Sequence, residues 1–115
     1  MSKIYKLEWT SNAKNDLLNI VAYIKKDTPG IANEVYQKIR EKAHSSNFFP
    51  LRGRVVPELQ KEGITLYREL IAPPWRIIYK VGNESVYIMA IFDSRQNVED
   101  ILLQKLLKSQ TSEHL

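Results

Sequence analysis

The stretch YRELIAPPWRIIYKVGNESVYIMAIFDSRQ, residues 67–96, constrains the fold of this chain more than any other. It is strongly apolar and is broken at Pro-Pro and Gly-Asn, the punctuation expected between adjoining strands. Three strands are predicted, over residues 64–72, 75–81 and 85–92, the last two joined by a short hairpin turn. The same stretch carries Arg68, Arg76 and Arg95. A guanidinium stays charged in a protein, and an unpaired buried charge is expensive. Each arginine is therefore either paired for structural reasons or set on a sheet face left open for a ligand.

The rest of the chain supplies what such a sheet needs to bury. KIYKLEW alternates Tyr5, Leu7 and Trp9 against Ile4, Lys6 and Glu8, the pattern of a half-buried first strand. Leu17, Ile20, Val21 and Ile24 then recur at helical spacing, with Ser11 or Asn12 as the expected N-cap. In DTPG, Thr28 can cap a second helix whose first position Pro29 takes, and Ile31, Val35, Ile39 and Ala43 form its stripe. So short a link makes the two helices an antiparallel hairpin. SSNFFPLRGRVVPEL reads as a crossing loop. NVEDILLQKLLK reads as a short final helix, with acids at its start and lysines near its end. The expected architecture is α+β, in the order β-α-α-β-β-β-α. A small, mostly antiparallel, curved sheet carries the helical hairpin on one face and a short C-terminal helix.

Alternation places Trp75, Ile77, Tyr79 and Val81 on one sheet face and Arg76, Ile78 and Lys80 on the other. Extended pairing would put Tyr87, Met89, Ile91, Asp93 and Arg95 on a common side, with Asp93 and Arg95 about 7 Å apart along it. With the helices on the apolar face, the opposite face is expected to be open. Fixed cations along it and at its rim would suit an anionic ligand.

One domain spanning residues 1–115 is expected, with no repeat, linker or low-complexity tract. Its 43% hydrophobic and 26% charged residues argue against disorder. With no cysteine and only His44 and His114, neither a disulfide framework nor a Cys/His metal site can be assembled. No cofactor is implied. The apolar runs are too short to span a bilayer, the start lacks a signal-peptide pattern, and a cytoplasmic location is the simplest expectation. A net charge of +4 is modest for a dedicated nucleic-acid binder. The type of cation changes along the chain, since five of the six arginines fall within residues 51–95. Arginine suits fixed, forked contacts to carboxylate or phosphate.

Taken in order, PLRGRVVPEL, YREL, WRIIYKV and VYIMAIFDSRQNVEDIL resemble the RelE/ParE superfamily of bacterial type II toxins, over essentially the whole chain. The Pro-Glu-Leu and Tyr-Arg-Glu-Leu signatures are more similar to the ParE branch. The resemblance implies a compact toxin of a plasmid-stabilisation module, held inactive by a cognate antitoxin in a hetero-oligomer. RelE-like members cleave messenger RNA on the ribosome, activating a 2′-hydroxyl against its neighbouring phosphate. ParE-like members trap DNA gyrase on cleaved DNA and need no catalytic act of their own.

A ribonuclease of this type needs a base, an acid and cations for the phosphorane. By resemblance Arg76 and Arg95 match phosphate-binding arginines, and Arg54 and Lys80 are further target-binding candidates. Proton carriers are scarcer. Asp93, standing where many members carry histidine, is the candidate catalytic base if the chain is a ribonuclease, although beside Arg95 its carboxylate is a poor one. The final helix contains neither tyrosine nor histidine. Asp93–Arg95 is better read as a strand-end salt bridge, Glu69 as a cross-strand ion-pair partner, and Arg68 as a structural arginine beneath the helices. Gyrase inhibition is the favoured expectation. Ribosome-dependent cleavage of messenger RNA, or a degenerate member that only binds its antitoxin, are the alternatives.

Overall fold

The structure, a computed structural model, describes residues 4–47 and 49–95. Strand β1 (Lys6–Trp9) leads into helices α1 (Ser11–Lys25) and α2 (Pro29–Ser45). A two-residue strand β2 (Arg54–Val55) and a single helical turn α3 (Pro57–Gln60) follow. Strands β3 (Tyr67–Ala72), β4 (Trp75–Val81) and β5 (Ser85–Asp93) complete the described fold. The sheet order is β1-β5-β4-β3-β2, antiparallel except where β1 runs parallel to β5. The α+β architecture with a helical hairpin on one face is as expected, while the final helix expected over residues 97–108 lies outside the described residues.

The helix-facing core joins Ala13, Leu17, Ile39 and Ala43 to Leu70, Ile77, Tyr79, Val86, Ile88 and Ile91. Tyr5, Leu7 and Trp9 pack onto it, as the alternation of the first strand requires. Along α2, Ala32 takes the buried position and Ile31 stays 49% exposed, so the apolar stripe begins one residue later than its spacing suggested.

Thr10, not Ser11 or Asn12, caps α1: its Oγ1 accepts from the Ala13 amide at 3.2 Å. The reason lies in β5. Ile78 pairs with Ala90 but Tyr79 with Ile88, so Met89 is an extra residue, a β-bulge. A bulge leaves backbone groups without ladder partners, and the first turns of α1 supply them. Thr10 Oγ1 donates to the Ile88 carbonyl at 2.9 Å, and Asn12 Nδ2 to the Met89 carbonyl at 2.9 Å. Asp16 Oδ2 accepts from the Ile91 amide at 3.0 Å.

The bulge also reverses the alternation beyond it. Tyr87 and Met89 lie on the face away from the helices, but Ile91 lies against them, and Asp93 pairs with helix-facing Trp75. The expected common side for Tyr87 through Arg95 is thus corrected by one inserted residue.

The face away from the helices is not open where Arg76 stands. It carries a second core of Val56, Leu59, Tyr67, Ile78, Met89, Ala90 and Phe92, each no more than 3% exposed. Val56, between β2 and α3, and Leu59 of α3 come from the segment read from sequence as a loop. Pro57 starts the turn, and Gly63, at φ 80°, follows it in a backbone region that side-chain-bearing residues avoid.

Candidate functional site

Glu69 lies in the middle of this second face, its side chain fully buried. Alternation along β3 points Tyr67 and Glu69 away from the helices, and two cations meet the carboxylate there. Arg76 Nε donates to Oε1 at 2.5 Å, and Arg54 Nε to Oε2 at 2.6 Å. Arg54 reaches it because β2 pairs Arg54 opposite Glu69; Arg76 reaches it from the adjoining strand β4. The two terminal nitrogens of Arg76 then grip Glu58, at the start of α3, in a fork of two 2.8 Å bonds. Its guanidinium carbon also stands 5.4 Å from the centre of the Phe92 ring.

Every nitrogen of this guanidinium is therefore committed to a carboxylate, and its side chain is only 7% exposed. The hydrogen bond from Arg76 holds the Glu58 carboxyl below its usual range, against a smaller opposing effect of burial. Reciprocally, Glu58 and then Glu69 hold Arg76 in its charged form, against burial. Removing Arg76 would leave Glu58 without its fork and the fully buried Glu69 with one cation fewer.

A second constellation sits on the helix side of the same strands. The Tyr79 hydroxyl donates to the Pro50 carbonyl at 2.8 Å and accepts from the Gly53 amide at 2.9 Å. Burial pushes the Tyr79 phenol up, opposed by the Gly53 hydrogen bond and by the Arg68 charge. Arg68 Nη1 donates to the Gly53 carbonyl at 2.7 Å. Position 53 cannot carry a side chain: a Cβ would fall 2.4 Å from the Glu69 carbonyl and 2.6 Å from the Tyr79 hydroxyl.

The sequence matches the family described as "ParE toxin of type II toxin-antitoxin system, parDE" over residues 7–98. The chain belongs to the ParE toxin family. It is thus a toxin of the type II toxin–antitoxin class, on the ParE side of the superfamily it resembles. A solved structure titled "Chromosomal ParDE TA system from P. aeruginosa" has a similar fold. Its TM-score is 0.67 at 21% identity, over 78% of this chain and 96% of that one. No curated protein sequence matches.

In this ParE-family chain the signature residues prove to be a connected scaffold. Gly-Arg supplies the close approach at Gly53 and the Arg54 ion pair; Pro-Glu-Leu supplies the start of α3, the Glu58 fork and buried Leu59. Tyr-Arg-Glu-Leu supplies buried Tyr67, the loop-holding Arg68, the Glu69 hub and core Leu70. Glu69 pairs across strands, as its position suggested. Arg68 is structural, but it binds backbone carbonyls rather than an acid.

The structure does not bring Arg76 and Arg95 together. Arg76 shares the face of Phe92, whereas Asp93, and with it Arg95, belongs to the opposite side. Arg95 folds back onto Asp93 through an ion pair, whose hydrogen bonds and charge hold the guanidinium in its charged form. The hydrogen bonds from Arg95 hold the Asp93 carboxyl below its usual range. Lys80 lies half-buried on the Arg76 side, 5.7 Å from the centre of the Tyr87 ring. The expected continuous rim of cations is therefore divided between two faces. The segments that sequence reasoning passed over, Gly53 and Glu58, carried a signal in the Gly-Arg and Pro-Glu-Leu motifs, but their partners are fixed only by the pairing of β2 with β3.

Proposed function

We propose that this toxin acts by stoichiometric inhibition of DNA gyrase rather than by cleaving messenger RNA. One observation carries the reading: the arginine best placed by motif to clamp a phosphate, Arg76, spends its whole fork on Glu58 and Glu69. Opening that fork to bind RNA would strand two acids, one of them fully buried. Asp93, held ionised beside Arg95, is poorly suited to take a proton near neutral pH. Arg54, Lys80 and Arg95 remain candidates for contact with the target rather than for catalysis. Inhibition by binding requires a complementary surface and no proton carriers.

The toxin would be held inactive by a cognate antitoxin, in keeping with its family. An amphipathic antitoxin helix fits the hairpin, where a groove of about 270 Å³ is lined by Trp9, Leu17, Leu18 and Tyr36 and flanked by Lys14 and Arg40. A cytoplasmic site of action and a role in plasmid stabilisation go with this reading.

The test presents the purified protein with two targets. With gyrase, relaxed plasmid and ATP, supercoiling is expected to stop and cleaved DNA to accumulate. With programmed ribosomes, the message is expected to remain intact. Codon-specific cleavage in the ribosomal A site, lost on Arg95→Ala, would reverse the assignment.

A further inference from the structure

The end of the sheet where β1 begins and β4 ends carries an apolar cleft of about 650 Å³, lined by Tyr5, Phe49, Pro50, Leu51, Arg52 and Val81. Phe49 is 61% exposed and Leu51 67% exposed. Scattered exposed hydrophobics need no explanation, but two on one short loop, facing a cleft, do. The loop is not free to fold them inward. Its backbone is tied down by Tyr79 at Pro50 and Gly53, by Arg68 at Gly53, and by the Arg52 amide to the Phe49 carbonyl at 3.0 Å. The family's Gly-Arg and Tyr-Arg motifs thus hold in place a surface that water disfavours.

We propose that this cleft is the surface by which the toxin engages gyrase, taking up an aromatic or leucine side chain of a gyrase segment that also carries carboxylates. The acidic character follows from the rim. Arg52 lines the cleft and also the neighbouring depression on α2, where Lys38 and Lys42 outnumber Glu41. The position separates it from the antitoxin groove. Tyr5 and Val81 lie where β1 begins and β4 ends, whereas the antitoxin groove is lined by Trp9, the last residue of β1, and by Leu17 and Tyr36 of the hairpin. A surface fixed before binding loses little freedom on docking, which favours capture of a large enzyme by a small protein. This inference rests on the gyrase reading above.

The test uses full-length wild type with Phe49→Asp, Leu51→Asp and Arg52→Glu in the gyrase supercoiling assay. Both apolar side chains are exposed, so the variants are expected to unfold at the wild-type temperature. Each Asp variant is expected to need at least tenfold more protein for half-inhibition, and Arg52→Glu a smaller excess. Inhibition equal to wild type by both Asp variants would overturn the inference and leave the gyrase reading standing. Inertness of wild type itself would overturn both. Variants that still inhibit gyrase but no longer bind a cognate antitoxin would assign the cleft to the antitoxin instead. Should they inhibit normally but lose self-association in light scattering, a second copy would be the occupant, and the inference would again fail.

Discussion

A buried acid between two arginines makes Arg76 the residue on which the described fold is most sensitive. Arg76→Ala is expected to destabilise the protein by about 3–5 kcal/mol, measured by urea unfolding, because Glu69 and Glu58 would lose a shared cation at once. Arg76→Lys keeps the charge but cannot reproduce the fork, and should recover only part of the loss. The pH dependence follows from Glu58. Its folded-state carboxyl titrates below its ordinary value of 4.5, so the folded state binds fewer protons than the unfolded chain near that pH. The stabilisation is present above about pH 4.5 and is lost as pH falls through the lower folded-state value. Arg76→Ala should therefore flatten the acid limb of the stability curve as well as lower it. Arg95→Ala removes a largely exposed cation and should leave the unfolding midpoint where it is.

Among the elements, those with their own periodicity were legible in the sequence. Both helices, the first strand and the three long strands announce themselves by spacing, and β4 occurs at residues 75–81 as read. Two features did not announce themselves. A strand of two residues and a helix of four offer no period to detect, so β2 and α3 exist only because β3 and the second core receive them. The Met89 bulge is equally silent, since it is a relation between β4 and β5 and not a property of either. That one residue decided which side Asp93 faces, and so the cation site read from alternation was misassembled while its strands were right. Gly53 tests the short element directly. Gly53→Ala would press a methyl group against the Glu69 backbone, and should cost about 1–3 kcal/mol by forcing β2 off β3. At the other end of the sheet, Thr10→Ala removes a helix cap that also serves the strand next to the bulge. A loss of about 1 kcal/mol is expected, with faster hydrogen exchange at the Ala13 amide.

At the scale of the molecule, one sheet separates two cores, and the ion-pair hub sits on the side away from the α1–α2 hairpin, beneath α3. Because Ile77 and Ile78 are successive residues of β4 that face opposite cores, neither core can melt without the strand. The chain should therefore unfold as a unit. Ile39→Ala on the helix side is expected to cost about 2–5 kcal/mol, and Phe92→Ala on the other side about 3–5 kcal/mol. In each variant tryptophan fluorescence, which reports from Trp9 and Trp75 beside the helix-side core, should share its midpoint with far-ultraviolet circular dichroism. Separate midpoints in Phe92→Ala would mean that the second core is an independent unit, and that the ion-pair hub does not couple α3 to the rest. Coupling has a functional consequence. Variants of the scaffold, Arg76→Ala included, should lose gyrase inhibition in step with stability, and lowering the assay temperature should restore part of it. Leu51→Asp should lose inhibition at every temperature at which it is folded, because what it lacks is contact rather than structure.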